Sequence, residues 1–104
     1  MSLTMTESEF AFWLERSSPA SQVVYHCGSL PRDRFGKHVY DGDTVKQIPT
    51  TYSQAVDYTA WAAWRAMQGR YVLLTQRRVN ESSFEYRAIR TGVSFPQNLA
   101  SAQL

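Results

Sequence analysis

Arginines are the residues of this chain best suited to chemistry. Between residues 65 and 90 stand Arg65, Arg70, Arg77, Arg78, Arg87 and Arg90, against only Glu81 and Glu85. Guanidinium groups gathered in this way make charge-assisted contacts with phosphates and fix a protein's position on a duplex. The plainer alternative is that they keep an exposed hairpin soluble and deter edge pairing, with Glu81 and Glu85 as local partners.

A second set, His26, Cys27, His38, Asp41 and Asp43, contains the types that hold metals or drive nucleophilic attack. Its spacing matches no tetrahedral zinc pattern, and the DGD triplet lacks the remaining ligands of a calcium loop. Neighbouring side chains on a strand point to opposite faces, so His26 is poorly placed to activate Cys27. A Gly-rich phosphate loop, a Ser nucleophile elbow and paired carboxylates are all missing from the sequence. The expectation is a non-enzymatic protein with no catalytic residue, metal or cofactor.

Trp61 carries the third signal. On a wheel of about 100° per residue, Val56, Thr59, Ala60, Ala63, Trp64, Ala66 and Met67 share one side of a helix, while Asp57, Tyr58, Trp61, Arg65 and Gln68 share the other. A Trp among polar neighbours is either covered by the N-terminal helix or the 28–50 loop, the plainer reading, or exposed as a protein contact, since Trp is enriched at interface hot spots. Exposure with Tyr58 and Arg65 favours a protein partner. Trp61 and Arg65, four residues apart, can also stack.

These residues are positioned by one stretch, Thr51 to Arg90. Thr51 and Gln54 have capping-box spacing, and Gly69 supplies a left-handed stop, so TYSQAVDYTAWAAWRAMQ reads as a long helix. RYVLLTQRRV and FEYRAIR then read as an antiparallel hairpin closed by a four-residue loop, Asn80 to Ser83. That loop sets Val79 opposite Phe84, Arg78 opposite Glu85, Arg77 opposite Tyr86 and Leu74 opposite Ile89.

Upstream, Thr6 and Glu9 form another capping box, followed by Phe10, Trp13 and Leu14 at helical spacing, and Pro19 closes the segment. SQVVYHC alternates as a strand, with Val23, Tyr25 and Cys27 on one face and Val24 and His26 on the other. Residues 28–50 are rich in turn formers; a brief helix near Leu30, with Pro31 in its first turn, is expected to lead into an irregular loop through DGD. The tail after Thr91 lacks periodicity, although Phe95 could dock.

At 104 residues with an apolar fraction of 43%, the chain suits one domain around one core. Residues 1–5 and 92–104 are expected to be loose termini. The single Cys27 excludes an internal disulfide and fits a reducing cytosol. No apolar run approaches the roughly 20 residues that span a membrane, and the acidic N-terminus does not look like a signal peptide, so a cytoplasmic location is expected.

VVYHCGSLPRDR, AAWRAMQGRYVLLTQRRV and FEYRAIR together resemble a group of small uncharacterised bacteriophage and prophage proteins. The resembling positions are Tyr25, His26, Gly28, Asp33 and Arg34, then Gly69 and Arg70, then Leu74, Gln76, Arg77 and Arg78. The likeness covers about residues 10–90; Phe35 to Tyr52 is longer and more irregular than the pattern, which bears on the second helix of a helix-turn-helix. The resemblance implies a phage origin and a winged-helix-like fold, and supplies no catalytic residue.

The expected fold is therefore α+β, a small winged-helix-like domain ordered as helix, strand, short helix or loop, long helix and two-stranded wing. The leading function is a DNA-binding regulator that meets duplex DNA through Arg65, Gln68, Arg77, Arg78, Arg87 and Arg90, with Tyr58 as a further candidate for base contact. The alternative is a protein-binding inhibitor or adaptor aimed at a host enzyme or defence complex through Tyr58, Trp61 and Arg65. The same face could also form a homodimer seam.

Overall fold

Among residues 3–94, the part of the chain that the computed structural model describes, three helices and six strands form. They are β1 (Leu3–Thr4), α1 (Glu7–Arg16), β2 (Gln22–Gly28), α2 (Leu30–Asp33), β3 (Lys37–Asp41), β4 (Thr44–Ile48), α3 (Thr51–Gln68), β5 (Val72–Asn80) and β6 (Ser83–Arg90). The fold is α+β.

Each long helix starts on a reciprocal cap. In α1 the Glu9 amide donates to Thr6 Oγ1 at 3.0 Å and the Thr6 amide donates to Glu9 Oε1 at 2.8 Å, as the spacing predicts. In α3 the box lies one residue before the expected Thr51 and Gln54. The Ser53 amide donates to Thr50 Oγ1 at 3.0 Å and the Thr50 amide to Ser53 Oγ at 2.8 Å. Ser53 is buried, and its short hydroxyl can close the box without leaving the core.

The end of α3 also differs from the expected glycine stop. Gly69 has right-handed geometry, and Arg70 takes the left-handed position at φ 66°. The Arg70 amide donates to Met67 O and the Tyr71 amide to Ala66 O, both at 2.9 Å, the paired bonds that satisfy the last carbonyls. Gly69 matters for a different reason: a Cβ there would stand 2.5 Å from the Tyr71 ring, which would have to move.

Four strands make an antiparallel sheet in the order β1-β2-β6-β5. Leu3 and Thr4, expected to be loose, pair with Cys27 and His26. Helices α1 and α3 cover one face, where Phe10, Leu14, Tyr25, Ala63, Ala66, Val72, Tyr86 and Ala88 form the core. The alanines let the helix backbone approach closely, and burying side chains such as Phe10 and Val72 stabilises the domain by roughly 1.5–3 kcal/mol each. Trp64, expected in the core, sits at the helix margin and remains half-exposed.

Residues 28–50 are more regular than their turn-rich composition suggested. The helix near Leu30 is a single turn with Pro31 in it, but the DGD segment is the tight turn of a hairpin, β3–β4, with Gly42 at φ 61°. Every residue of β4 is exposed, and this two-stranded sheet stands between α2 and α3 in the chain.

The β5–β6 hairpin keeps the expected register only at its tip. Asn80 pairs with Ser83 across Glu81 and Ser82, and Val79 bulges, so below it Arg78 faces Phe84, Arg77 faces Glu85, Gln76 faces Tyr86 and Leu74 faces Ala88. The turn is two residues because the Asn80 side chain accepts the Ser82 amide at 2.9 Å, an Asx turn that tightens the loop. Phe95 lies outside the described residues.

Candidate protein-docking groove

The arginines do not assemble one phosphate-binding surface. Arg90 is 7% exposed, and its guanidinium donates to the carbonyls of Leu14, Tyr71 and Val93 at 3.1, 3.1 and 2.9 Å. It is a staple joining α1, β6 and the following turn, which corrects its expected place on DNA. Arg77 and Arg87 share one carboxylate oxygen of Glu85 at 2.7 and 2.9 Å, on the sheet face away from the helices. Those two guanidinium groups hold the Glu85 carboxyl below its ordinary range.

Arg78 points to the helix-bearing face and folds over its own turn, donating to Asn80 O and Glu81 O at 3.2 and 3.0 Å. Arg65 lies on α3 and reaches Glu7 at 3.4 Å. The α3 arginine and the Arg77–Arg87 pair are thus on opposite sides of the sheet. Gln68 is exposed at the end of α3.

A bulge in β2 overturns the expected alternation. Val24 pairs with Arg87 and His26 with Tyr86, leaving Tyr25 as the extra residue, so Tyr25 and His26 both turn inward. His26 Nε2 lies 2.7 Å from Asp33 Oδ2, the oxygen that also accepts the Ser29 amide at 3.2 Å. The next residue, Arg34, holds Asp57 of α3 through Nε at 2.8 Å and Nη2 at 2.7 Å. The Tyr-His strand and the Asp-Arg step therefore form a clamp that fixes α2 against both β2 and α3.

Beside that clamp runs a groove. One cavity of about 470 Å³ is lined by Tyr25, Leu30, Arg34, Ala60, Trp61, Trp64 and Leu74. A second, about 530 Å³, shares Leu30 and Arg34 and continues past Phe35, Asp57, Gln76 and Tyr86. Its rim is aromatic: Trp61 and Trp64 are each 45% exposed and pack edge-to-face at 5.4 Å. Trp61 is thus uncovered, contrary to the plainer sequence reading, and Tyr58 is exposed on the same helix.

Tyr25 and Arg34 are the polar groups in the wall of the first cavity. Tyr25 is 4% exposed, burial pushes its hydroxyl up to about 12, and that hydroxyl has no hydrogen-bond partner among the described residues. Sequence reasoning missed Tyr25, Leu30, Arg34 and Leu74 as a set. The Asp33–Arg34 step was visible, but its partners became neighbours only through the bulge and the short α2.

Asp41 and Asp43 flank the β3–β4 turn, and Cys27 faces away from His26. Among the described residues no three His, Cys, Asp or Glu side chains gather as a metal-ligand set, and no helix is long and apolar enough to cross a membrane. Comparison with protein-family models, with curated proteins and with solved structures finds no match for this chain.

Proposed function

We propose that this chain is a non-enzymatic protein-binding inhibitor or adaptor that docks through the aromatic rim of α3. The observation that carries this reading is the exposed Trp61–Trp64 pair beside an apolar groove. Large aromatic rings left in water at a concave site are the common anchors of protein interfaces. The phage resemblance adds a host enzyme or defence complex, in the cytoplasm, as the target. Capture from host lysate tests it: the native chain retains a partner that Trp61→Ala loses while its thermal midpoint is unchanged. Equal capture by both forms overturns it.

A second reading, a winged-helix-like DNA-binding regulator, draws on the succession α1, β2, α2, α3 and the β5–β6 hairpin, into which the β3–β4 hairpin is inserted between α2 and α3. Exposed Arg77 and Arg78 near the hairpin tip would meet phosphates. It ranks second because Arg77 is already paired and Arg90 is buried.

A further inference from the structure

We infer that the groove takes an extended, acid-bearing segment of the partner protein as an added strand on the free edge of β5. This specifies the docking mode of the protein-binding reading above and rests on it. Among the described residues β5 pairs only with β6 and ends the sheet. The Thr91 amide donates to Tyr71 O at 3.0 Å, and the same register continues through Leu73 with Ile89 and Thr75 with Arg87. By antiparallel alternation those residues aim their main-chain groups at β6, whereas Val72, Leu74 and Gln76 aim theirs at the unpaired side.

Leu74 and Gln76 also line the groove. A strand added to this edge therefore lays every second side chain over the space bounded by Leu74, Leu30, Ala60 and the two Trp rings. Such addition draws affinity from main-chain hydrogen bonds and specificity from the pockets that receive alternate side chains. Val72 to Gln76 contains neither the charge nor the proline that usually guards an open edge.

The charge of the occupant follows from the wall. Arg34 spends Nε and Nη2 on a single oxygen of Asp57, so Nη1 has no hydrogen-bond partner among the described residues. Tyr25 lines the same cavity as Arg34, and its hydroxyl has no hydrogen-bond partner among the described residues. Two donors with no acceptor in one groove, Arg34 Nη1 and the Tyr25 hydroxyl, suit a carboxylate that meets them beside the Arg34–Asp57 pair. The matching segment alternates apolar side chains and places an Asp or Glu among them on the groove side.

The test selects binders to the immobilised full chain from a displayed library of random nine-residue peptides, then resynthesises them with single N-methyl groups at each amide in turn. The expected peptides alternate apolar and polar residues and carry an acid. Methylation at every second amide weakens binding at least tenfold and leaves binding unchanged between, and Tyr25→Phe weakens it about tenfold, the loss of one hydrogen bond to a charged group. Peptides with helical apolar spacing, uniform tolerance of methylation, selection of no peptide, or a dimer of this chain built on β5 would each overturn strand addition. Protein docking itself stands or falls separately on the lysate capture by Trp61→Ala.

Discussion

His26 and Asp33 meet at 2.7 Å, Nε2 to Oδ2, with the imidazole 1% exposed. The pair joins β2 to a helix of one turn that could not persist on its own, because a single turn fixes several dihedrals for very few hydrogen bonds. Asp33 also holds the Ser29 amide, so one carboxylate supports both ends of α2. Removing it leaves a buried imidazole nitrogen and an amide without partners.

Asp33→Ala should therefore lower stability by about 2–3 kcal/mol. For a domain near this size the thermal midpoint falls by roughly 10–20 °C. Differential scanning calorimetry reads this directly, with Cys27→Ser, on the other sheet face, as the near-neutral comparison. A fall of only a degree or two for Asp33→Ala would show that the clamp contributes little.

Arg70 is the residue that makes the α3 terminus costly. A non-glycine side chain at φ 66° carries a left-handed penalty of roughly 1 kcal/mol. Arg70→Gly should raise stability by about that amount, seen as a higher urea midpoint at unchanged slope. Gly69→Ala should do the reverse, because its Cβ meets the Tyr71 ring. The two substitutions separate a glycine needed for conformation from one needed for space.

Much of the element order was legible because capping boxes and strand alternation are local. Thr6 with Glu9 placed α1, and β5 and β6 followed from their β-rich runs. What stayed hidden was the effect of one residue on register. The bulges at Tyr25 and Val79 each add one residue to a strand, and a one-residue slip exchanges inward and outward faces. That is why His26 and Tyr25 share the interior and Arg77, rather than Arg78, meets Glu85. Arg90 was misread because charge in sequence does not reveal that three carbonyls from distant elements converge on it.

Tyr25 gives the fold an alkaline weakness. Its folded-state pKa of about 12 lies above the ordinary value of 10.0, so between those limits the unfolded chain releases a proton that the folded chain keeps. This contribution is fully present below the unfolded value and is lost as pH rises toward the folded one, at up to about 1.4 kcal/mol per pH unit. Tyr25→Phe removes that slope. Urea midpoints measured from pH 9 to 11 check it, and identical slopes in the two proteins would contradict it.

Glu85 governs the acid side. Its carboxyl is held low by Arg87 and then Arg77, so the folded state favours the charged form. The stability it contributes is present above the ordinary carboxylate range and is lost as pH falls through its lowered value. Glu85→Gln should flatten this part of the acid limb of the stability curve. Because the carboxylate is still partly exposed, at 23%, added salt should shrink the difference.

Duplex DNA is the sharpest discriminator between the two functional readings. Four phosphates neutralised by one surface would give a slope of log affinity on log salt of roughly −3.6. The arrangement found here divides that surface. Arg65 is across the sheet from Arg77 and Arg87, the latter two share Glu85, and Arg90 is buried. An anisotropy titration with random-sequence duplex should therefore show a slope shallower than about −2, with the Arg77→Ala, Arg78→Ala double variant nearly indistinguishable from the native chain. A slope near −3.6 that this double variant abolishes would instead require the Arg77–Glu85–Arg87 group to open onto DNA, and would move the DNA-binding reading ahead of protein docking.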